Sequence, residues 1–482
     1  MSRPTRGRPR RVTAEARHPR RAAAAFAAGF GVLGLATAGL FAGTEPFSAW
    51  YYHFAWLGTL LIGDALVSWT GGAGRPGRFL LLDDAARTAS LLFWSAVLWL
   101  FFEAINLRIR NWYYVMLPRE TALRWTGEAL AFATVLPAVL VAEAALNGFG
   151  LARGRRWRAL RVDERRLRAL PLLGAVMFIL PMIWPRYFFP LVWVALAPIL
   201  EPFVYRRAPE RSLLADLERG RPGRLLRLLA GGAAIGLLWE LFNIGARTKW
   251  IYTVPGFAEA PRLFEMPVLG FFGFPPFAVG CFVAWQALIV ARVAAGHGLE
   301  NVPESTRSGA RDRDPTHPPA VGHAGAHRAY RIAAHAAAAY AAIVVLAAMD
   351  RRTVDSLRPR LELLHNIGLT AAAHLRDAGY DVFRLAAARP PDVAIRIRGV
   401  VVSDSAAAAW IRAARLATFR GIGAEHAAAL ARAGIATPSQ LARSDPDSIA
   451  RALTGPLDHR TRATRARVWI HAARRQEMRS DR

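Results

Sequence analysis

Long apolar runs, separated by short or arginine-rich polar segments, dominate the first 291 residues of the chain. A helix needs about 20 mostly apolar residues to cross the roughly 30 Å of hydrocarbon in a lipid bilayer. Runs of that kind lie near 23–42, 50–69, 88–107, 127–147, 168–184, 187–205, 226–245 and 268–291. The pattern therefore predicts an all-α protein whose larger part is a polytopic membrane helical bundle with eight spans.

Positive charge alternates between the connecting segments. The basic N-terminus, residues 1–21, contains eight arginines, and residues 150–168 and 206–224 are again rich in arginine. Loops rich in Lys and Arg remain in the cytoplasm, so this alternation predicts a cytoplasmic N-terminus. Five basic residues in the intervening loops weaken that assignment without reversing it: Arg108, Arg110, Arg119, Arg247 and Lys249.

The composition narrows the class of protein. With 54% hydrophobic and 20% charged residues the chain is too apolar for a disordered protein, and its single cysteine, Cys281, excludes a disulfide framework. The formal net charge is +28, and Lys249 is the only lysine among 63 basic residues. Such an arginine bias in an alanine-rich chain is typical of a GC-rich bacterial genome, which favours a bacterial inner membrane as the location.

Two stretches of the apolar region align when the chain is shifted by 137 residues. The matches join aromatic, acidic and amide positions: Trp56 with Trp193, Asp64 with Glu201, Glu103 with Glu240, Asn106 with Asn243, and Glu128 with Glu265. With one further helix in front of each copy, this predicts two four-helix repeats, residues 22–150 and 168–296. Four spans return the chain to its starting side, so the repeats are predicted to be parallel.

The acidic residues recur inside both predicted repeats, where an ionisable side chain is costly unless it is paired inside the protein. Members of a Glu-Asn pair lie three residues apart and share one helix face. These positions predict either an outward-opening polar chamber between the copies, with acid–base residues, or partners that lock helix packing. The candidate catalytic residues are Glu103, Asn106, Glu128, Glu240, Asn243 and Glu265. For Asp64 and Glu201 we favour packing.

The order of these motifs resembles a known family. Trp239-Glu240 precedes Trp250-Ile251-Tyr252 and Glu265, and the first copy has Glu103, Trp112-Tyr113-Tyr114 and Glu128. Over about 50–290 this is similar to the tandem three-span units of membrane carotenoid (lycopene) cyclases. The resemblance implies an isoprenoid or other lipid substrate and acid–base chemistry. Val268-Leu269 stands where the family has a Glu-Glu pair, which leaves the activity open.

Residues 297–328 are rich in Gly, Pro, His, Ser and charge, which is typical of a disordered linker. Its irregularly spaced histidines do not form a metal-ligand pattern, and with no Asp-rich motif for Mg²⁺ we predict neither a metal nor a cofactor. The next segment, 329–350, is either a ninth span or a helix on the bilayer surface. If it spans, the tail lies outside the cell.

The tail, residues 351–482, is duplicated with a period of 55 residues. Gly421-Ile422-Gly423, followed by apolar positions at Ala428 and Leu430, resembles the helix-hairpin-helix family. Two glycines permit a tight hairpin whose N–H groups can bind phosphate at a helix N-terminus. The resemblance implies a small soluble all-α tandem domain that binds nucleic acid or protein.

Two features of the tail bear on the choice of partner. Ala424-Glu425-His426 stands where DNA-binding members of that family present Lys or Arg, although the final helix, Arg462 to Arg475, is strongly basic. We therefore leave a protein partner and a nucleic acid both open, and favour a membrane anchor that carries a helix-hairpin-helix module. The alternative is a membrane enzyme that acts on an isoprenoid, carotenoid or other lipid.

Overall fold

The computed structural model describes residues 12–254, 261–291, 293, 322–393, 396–397, 400–455 and 457–480. The chain divides into two compact units. We call Met1–Phe102, Gly127–Ala246 and Leu269–Ile343 the membrane unit, and Glu103–Thr126, Arg247–Val268 and Val344–Arg482 the loop–tail unit. The first 25 residues of the predicted linker, 297–321, lie outside the described residues.

Helices make up most of the described chain before residue 353. They are α1 Val12–Phe41, α2 Phe47–Thr70, α3 Ala85–Ile109, α4 Thr121–Ala133, α5 Val135–Gly148, α6 Glu164–Ile183, α7 Pro185–Phe188, α8 Val192–Arg207, α9 Leu213–Glu218, α10 Gly223–Gly245, α11 Phe274–Val290 and α12 Gly322–Arg352. Turns of 3₁₀ helix at Phe189–Leu191 and Val268–Gly273 lead into α8 and α11.

Eight helical stretches in the described residues are long and apolar enough to cross a membrane. They are Pro19–Phe41, Ala85–Ile109, Thr121–Gly148, Glu164–Ile183, Pro185–Arg207, Gly223–Gly245, Val268–Val290 and His327–Arg352. The chain is therefore a multi-pass membrane protein. Seven of these stretches coincide with predicted spans. The predicted span 50–69 forms the helix α2, which is not among the eight.

The segment for which the sequence left two alternatives forms one long helix. Helix α12 has 31 residues, and its stretch His327–Arg352 is apolar enough to cross a bilayer. At 1.5 Å per residue the whole helix measures about 46 Å, more than the roughly 30 Å hydrocarbon layer.

Within the membrane unit, close helix packing depends on small residues. Helix α1 packs along α2, where a Cβ on Gly29 would meet the Gly58 carbonyl oxygen at 2.7 Å and a Cβ on Gly58 would meet that of Gly29 at 2.7 Å. On α10, Gly232 allows a similar approach to Ala278 of α11. Small residues at crossings let membrane helices approach closely enough for van der Waals packing to hold them together.

The loop–tail unit contains a short sheet. Strand β1, Trp112–Val115, pairs antiparallel with β2, Lys249–Tyr252. The chain after α12 joins the other edge of β1, with parallel bridges from Tyr114 to Val354 and from Leu117 to Leu357. Two loops and the beginning of the tail thus share one sheet, so all three lie on the same side of a bilayer.

The tail is mostly helical, with one short strand pair of its own and a second pair in the loop that follows β2. Its helices are α13 Gly368–Asp377, α14 Val382–Ala387, α15 Asp404–Thr418, α16 Ala424–Arg432, α17 Pro438–Ala442, α18 Pro446–Ala452 and α19 His459–Ser480. The remaining strands are β3 Arg262–Leu263, β4 Met266–Pro267, β5 Arg396–Ile397 and β6 Val400–Val401. Side-chain caps from Asp381, Ser403, Thr437 and Asp445 fix helix starts, and Leu375, Leu385, Leu430 and Trp469 are core residues.

Candidate functional site

The first Glu-Asn pair is held by strand β1. Trp112 donates its indole N–H to Glu103 Oε1 at 3.0 Å, and the Tyr114 hydroxyl donates to the same oxygen at 2.6 Å. Asn106 donates to the Trp112 carbonyl at 3.0 Å and accepts from the Asn111 backbone N–H at 2.9 Å. Both residues are fully buried. The carboxylate and the amide therefore fasten β1 to the end of α3, which satisfies polar groups at a place remote from water.

The second Glu-Asn pair occupies the same place in its helix. Glu240 and Asn243 lie near the end of α10 and are also fully buried. Strand β2 follows α10 as β1 follows α3, and the register pairs Trp112 with Tyr252 and Tyr114 with Trp250.

Aromatic rings fill the interior of the membrane unit, some of them next to Glu103 and Glu240 in the sequence. Trp99 and Trp239 lie 5.0 Å apart between ring centroids, and Trp56 lies 6.2 Å from Trp239. Phe277 makes edge contacts with Trp99 at 5.8 Å and with Trp193 at 5.7 Å. Both predicted copies contribute to this cluster, which buries large apolar surfaces. The polar chamber between the copies stays a prediction.

Asp64 and Glu201 each hold the loop that follows their helix. Asp64 accepts backbone N–H groups from Leu80, Leu81 and Leu82, at 2.6 to 3.2 Å. Glu201 accepts from the Ser212 hydroxyl at 2.6 Å and from the Leu214 N–H at 2.8 Å. These contacts agree with the packing role that we favoured for both residues.

The next two candidates differ in their surroundings. Glu128 is buried on α4, beside Gly127, whose carbonyl accepts a hydrogen bond from His53 Nε2 at 2.8 Å. Glu265 forms an ion pair with Arg420 of the tail, whose Nη1 lies 2.6 Å from Oε1. The Glu265 side chain is only 3% exposed.

Basic groups determine the charge of Glu265. Burial by itself raises the pKa of this carboxyl, but the Arg420 guanidinium outweighs burial, and the pKa falls below its usual value. Lys249 and Arg262 act in the same direction, and Arg262 also donates to the Glu265 backbone carbonyl at 2.8 Å. Glu265 is therefore an ionised carboxylate near neutral pH and not a proton donor.

A second buried carboxylate, Asp355, lies where the tail begins. Arg465 of α19 donates to it, and His426 Nε2 of α16 lies 3.5 Å from Oδ1. Burial alone raises the pKa of Asp355, but Arg465 and His426 bring it below its usual value. The Arg465 guanidinium also lies over the Tyr113 ring, 4.7 Å from the centroid. Asp355 thus links the start of the tail to two of its helices.

The hairpin Gly421-Ile422-Gly423, predicted to bind phosphate, is covered. All three residues are buried, and a Cβ on Gly421 would lie 2.5 Å from Val115 of β1. The Ile422 N–H donates to the Phe419 carbonyl at 3.0 Å and the Gly423 N–H to the Ala417 carbonyl at 2.8 Å. These two amides are already used, so the geometry argues against phosphate binding there; the glycines permit close packing on β1.

The equivalent hairpin of the first tail copy faces outward. Asn366 and Gly368 have left-handed φ values of 66° and 71°, and both are exposed. Leu369 is 79% exposed, and a Cβ on Gly368 would meet nothing within 4 Å. The copy that matches the motif less well is therefore the one with a free surface.

Arginines of the final helix are partly used inside the tail. Arg465 binds Asp355, Arg462 donates to the Leu453 carbonyl, and Arg474 donates to the Ala442 carbonyl at 2.8 Å. This leaves less of the helix's positive charge for an external polyanion than the sequence indicates.

Within the described residues, no group of three or more His, Cys, Asp or Glu side chains is arranged to hold a metal ion. One histidine of the predicted linker, His317, lies outside those residues. Searches against protein families, characterised proteins and solved structures found no match to this chain.

The residues that sequence reasoning missed are tail residues and their loop partners: Asp355, Arg420, His426 and Arg465, with Arg262 and Tyr113. Their partners are distant in sequence: Arg420 is 155 positions from Glu265, and Arg465 is farther still from Tyr113. One signal was available: Lys249, the single lysine of the chain, lies in strand β2 beside this cluster.

Proposed function

We propose that this protein is a membrane scaffold. Two parallel four-helix repeats anchor a rigid platform, built from the protein's own loops and a tandem helix-hairpin-helix tail, that binds a protein partner. The observation that carries the proposal is the packing of the Gly421–Gly423 hairpin on β1. A hairpin used for internal packing makes the tail part of a fixed body and occupies two of the backbone amides that a nucleic acid could use, those of Ile422 and Gly423.

The two-copy architecture is supported by the positions of the elements. Helices α3 and α10 are each followed after a few residues by a four-residue strand, Trp112–Val115 and Lys249–Tyr252, offset by the same 137 residues as the sequence match. In the tail, α13 and α16 follow left-handed Gly or Asn positions about 55 residues apart.

We place the platform outside the cytoplasm of a bacterial cell. The segments 150–168 and 206–224, rich in arginine, each connect two membrane-spanning stretches and lie across the bilayer from the loops that carry β1 and β2. Arginine-rich connections stay in the cytoplasm, so the β1 and β2 loops and the tail lie on the outer face.

The alternative remains a cyclase-like enzyme acting on an isoprenoid or another lipid, favoured by the full burial of Glu103 and Glu240. Such chemistry needs a carboxylic acid that gives up a proton to an alkene. Glu265 is ionised by Arg420, and Glu103 Oε1 accepts two hydrogen bonds. The ion pair with Arg420 keeps Glu265 from acting as such an acid, which supports the scaffold over the enzyme.

A photo-crosslinking amino acid at position 369 tests the proposal in cells of the native host. We expect a discrete protein adduct with the full-length chain, unchanged by Glu103→Gln or Glu240→Gln, and none from a crosslinker at exposed Arg389. A change in the isoprenoid content of an overexpressing strain that disappears with Glu240→Gln would instead establish the enzyme. Salt-dependent binding of duplex DNA by the purified protein would establish a nucleic-acid partner.

A further inference from the structure

The connection between α5 and α6, residues 149–163, runs along the connection between α8 and α10 in the membrane unit. Its backbone is bound at two points: the Trp157 N–H donates to the Gly220 carbonyl at 3.1 Å, and the Leu160 N–H donates to the Leu217 carbonyl at 3.1 Å. A Cβ on Gly220 would lie only 2.8 Å from the Trp157 carbonyl oxygen. Because both connections join membrane-spanning stretches, these contacts place the two arginine-rich segments at the same end of the helical bundle.

This connection presents positive charge that the protein does not neutralise. Arg155, Arg156, Arg158 and Arg161 are exposed, and within the part of the chain that the structure describes none of them forms an ion pair with an acidic residue. Acidic residues of the two connections are engaged elsewhere: Asp163 caps α6, Glu164 pairs with Arg206, Asp216 pairs with Arg224, and Glu218 accepts from Tyr205. The four guanidinium groups are therefore accessible to an external anion.

Large apolar side chains alternate with these arginines. Trp157 is 52% exposed although it lies between Arg156 and Arg158, and Leu151 and Leu160 are exposed as well. The segment begins directly after the membrane-spanning stretch Thr121–Gly148 and ends directly before Glu164–Ile183. Tryptophan and arginine together suit the boundary between water and hydrocarbon, where the ring contacts lipid and the guanidinium reaches the headgroups. This surroundings favours lipid over a nucleic acid or a soluble protein.

We propose that Arg155, Arg156 and Arg158, with Trp157 between them, bind the phosphate headgroups of anionic phospholipids in the leaflet at this end of the bundle. Guanidinium groups bind phosphate oxygens with paired, charge-assisted N–H donors. A basic cluster next to a membrane span is attracted to an anionic leaflet. The backbone bonds to Leu217 and Gly220 hold the cluster against the bundle, and this lipid site is independent of the protein partner proposed for the tail.

The first test counts the lipids that full-length protein retains in a neutral detergent. Native mass spectrometry compares phosphatidylglycerol with phosphatidylcholine, and we expect the wild type to prefer phosphatidylglycerol. Combining Arg155→Gln, Arg156→Gln and Arg158→Gln should weaken phosphatidylglycerol binding about tenfold or more, because each basic residue near an anionic surface strengthens binding several-fold. The matched control removes the same charge from three exposed tail arginines, with Arg412→Gln, Arg432→Gln and Arg443→Gln, and should leave binding unchanged.

A photo-crosslinking amino acid at position 157 provides a readout that retains all the arginines. In vesicles of phosphatidylglycerol and phosphatidylcholine we expect a phospholipid adduct enriched in phosphatidylglycerol, and none from a crosslinker at exposed Arg389 of the tail. The same crosslinker at 157 in cells of the native host should again capture phospholipid. An adduct with a protein or a nucleic acid in its place would overturn the proposal. Equal retention of both lipids by the wild type, or equal effects of the two triple variants, would do the same.

Discussion

Buried carboxylates in this protein are stabilised in two chemically different ways. Glu103 accepts neutral N–H and O–H donors from Trp112 and Tyr114, whereas Glu265 is neutralised by Arg420. Neutral donors fix the orientation of the carboxylate through hydrogen bonds. A guanidinium fixes its orientation and also compensates its negative charge. The first arrangement fixes a strand to a helix end, and the second fixes a distant part of the chain to a loop.

Replacing Glu103 by alanine should destabilise the protein by about 2 to 5 kcal/mol. The change leaves the Trp112 indole and the Tyr114 hydroxyl buried without their acceptor, and each such group costs about 1–3 kcal/mol. Thermal unfolding in detergent, followed by the fluorescence of the tryptophans, measures the loss.

Glu120→Ala is the matched control for this experiment. Its side chain is 65% exposed in the same loop, so we expect a change within about 0.5 kcal/mol. Equal melting temperatures for Glu103→Ala and the wild type would show that the two hydrogen bonds do not hold β1 in place.

The Asp355–His426 contact makes the stability of the tail depend on pH. Burial lowers the pKa of His426, but Asp355 outweighs burial and raises it above the usual 6.5. A raised pKa contributes stability that is fully present below 6.5 and is lost as the pH rises through the folded-state value. Asp355, whose pKa is lowered from 3.8, contributes stability above that value that is lost in acid.

The contact should therefore be strongest between about pH 4 and 6.5. We expect His426→Gln to remove the decline in stability above pH 6.5, measured by denaturant unfolding of the full chain at several pH values. His459→Gln, at an exposed position of α19, should retain the decline. An unchanged pH profile in His426→Gln would contradict the assignment.

At the scale of elements, β1 is the centre of the loop–tail unit. Strand β2 lies on one edge, the chain from Val354 to Leu357 joins the other, and the hairpin at Gly421 packs against Val115. Val115 and Ile251, which is the register partner of Tyr113, are completely buried. A strand of four residues therefore contributes to three separate contacts.

Two hairpin glycines have the same backbone conformation but different surroundings. Replacing each by alanine therefore distinguishes the cost of a packing clash from the cost of backbone strain. Gly421 has φ 72° and Gly368 has φ 71°, so alanine at either position costs about 1–2 kcal/mol for the left-handed backbone. A Cβ at 421 would also lie 2.5 Å from Val115, whereas at 368 it meets nothing within 4 Å. We expect Gly421→Ala to destabilise the tail by at least about 2 kcal/mol more than Gly368→Ala.

Limited proteolysis of the tail, with fragments identified by mass spectrometry, measures this difference between the two variants. Comparable cleavage rates for Gly421→Ala and Gly368→Ala would mean that the hairpin does not pack tightly on β1. A functional loss in Gly421→Ala without faster cleavage would point to a ligand at this hairpin instead.

The membrane helices were predictable and most of the site was not. Apolar runs of about 20 residues follow directly from bilayer thickness, so seven predicted spans agree with the structure. Trp112 and Tyr114 belong to the Trp-Tyr-Tyr motif of the first copy, and local pattern does not show that their polar atoms bind Glu103. The ion pair from Glu265 to Arg420 joins segments 155 residues apart, and a single sequence contains no periodicity that reports such a contact.

For the molecule as a whole, contacts with the tail account for three of the five basic loop residues that weaken the charge pattern. Arg110 pairs with Asp458 at 2.8 Å and Arg119 with Glu425 at 2.9 Å. Arg247 lies over the Phe383 ring at 4.1 Å. These side chains bind the tail, so their presence in these loops does not contradict the orientation predicted from the arginine-rich segments.

Single-cysteine labelling tests the arrangement of the chain across the membrane. The native Cys281 is fully buried and gives little background. An impermeant maleimide applied to intact cells should label Glu120→Cys in the β1 loop and Arg389→Cys in the tail, and should label Arg158→Cys only after permeabilisation. This follows because β1 pairs directly with the chain entering the tail, while a membrane-spanning stretch separates the β1 loop from residue 158.

The same labelling experiment determines whether α2 crosses the membrane. If this helix crosses, a tag at the N-terminus is protected together with residue 158, as the arginines of residues 1–21 predict. If it does not cross, the tag is exposed together with Glu120→Cys. Asp64 on α2 binds three backbone N–H groups of the loop that follows, so its charge is satisfied inside the protein and does not prevent crossing. We therefore expect a protected tag; opposite labelling of Glu120→Cys and Arg389→Cys would contradict the shared sheet itself.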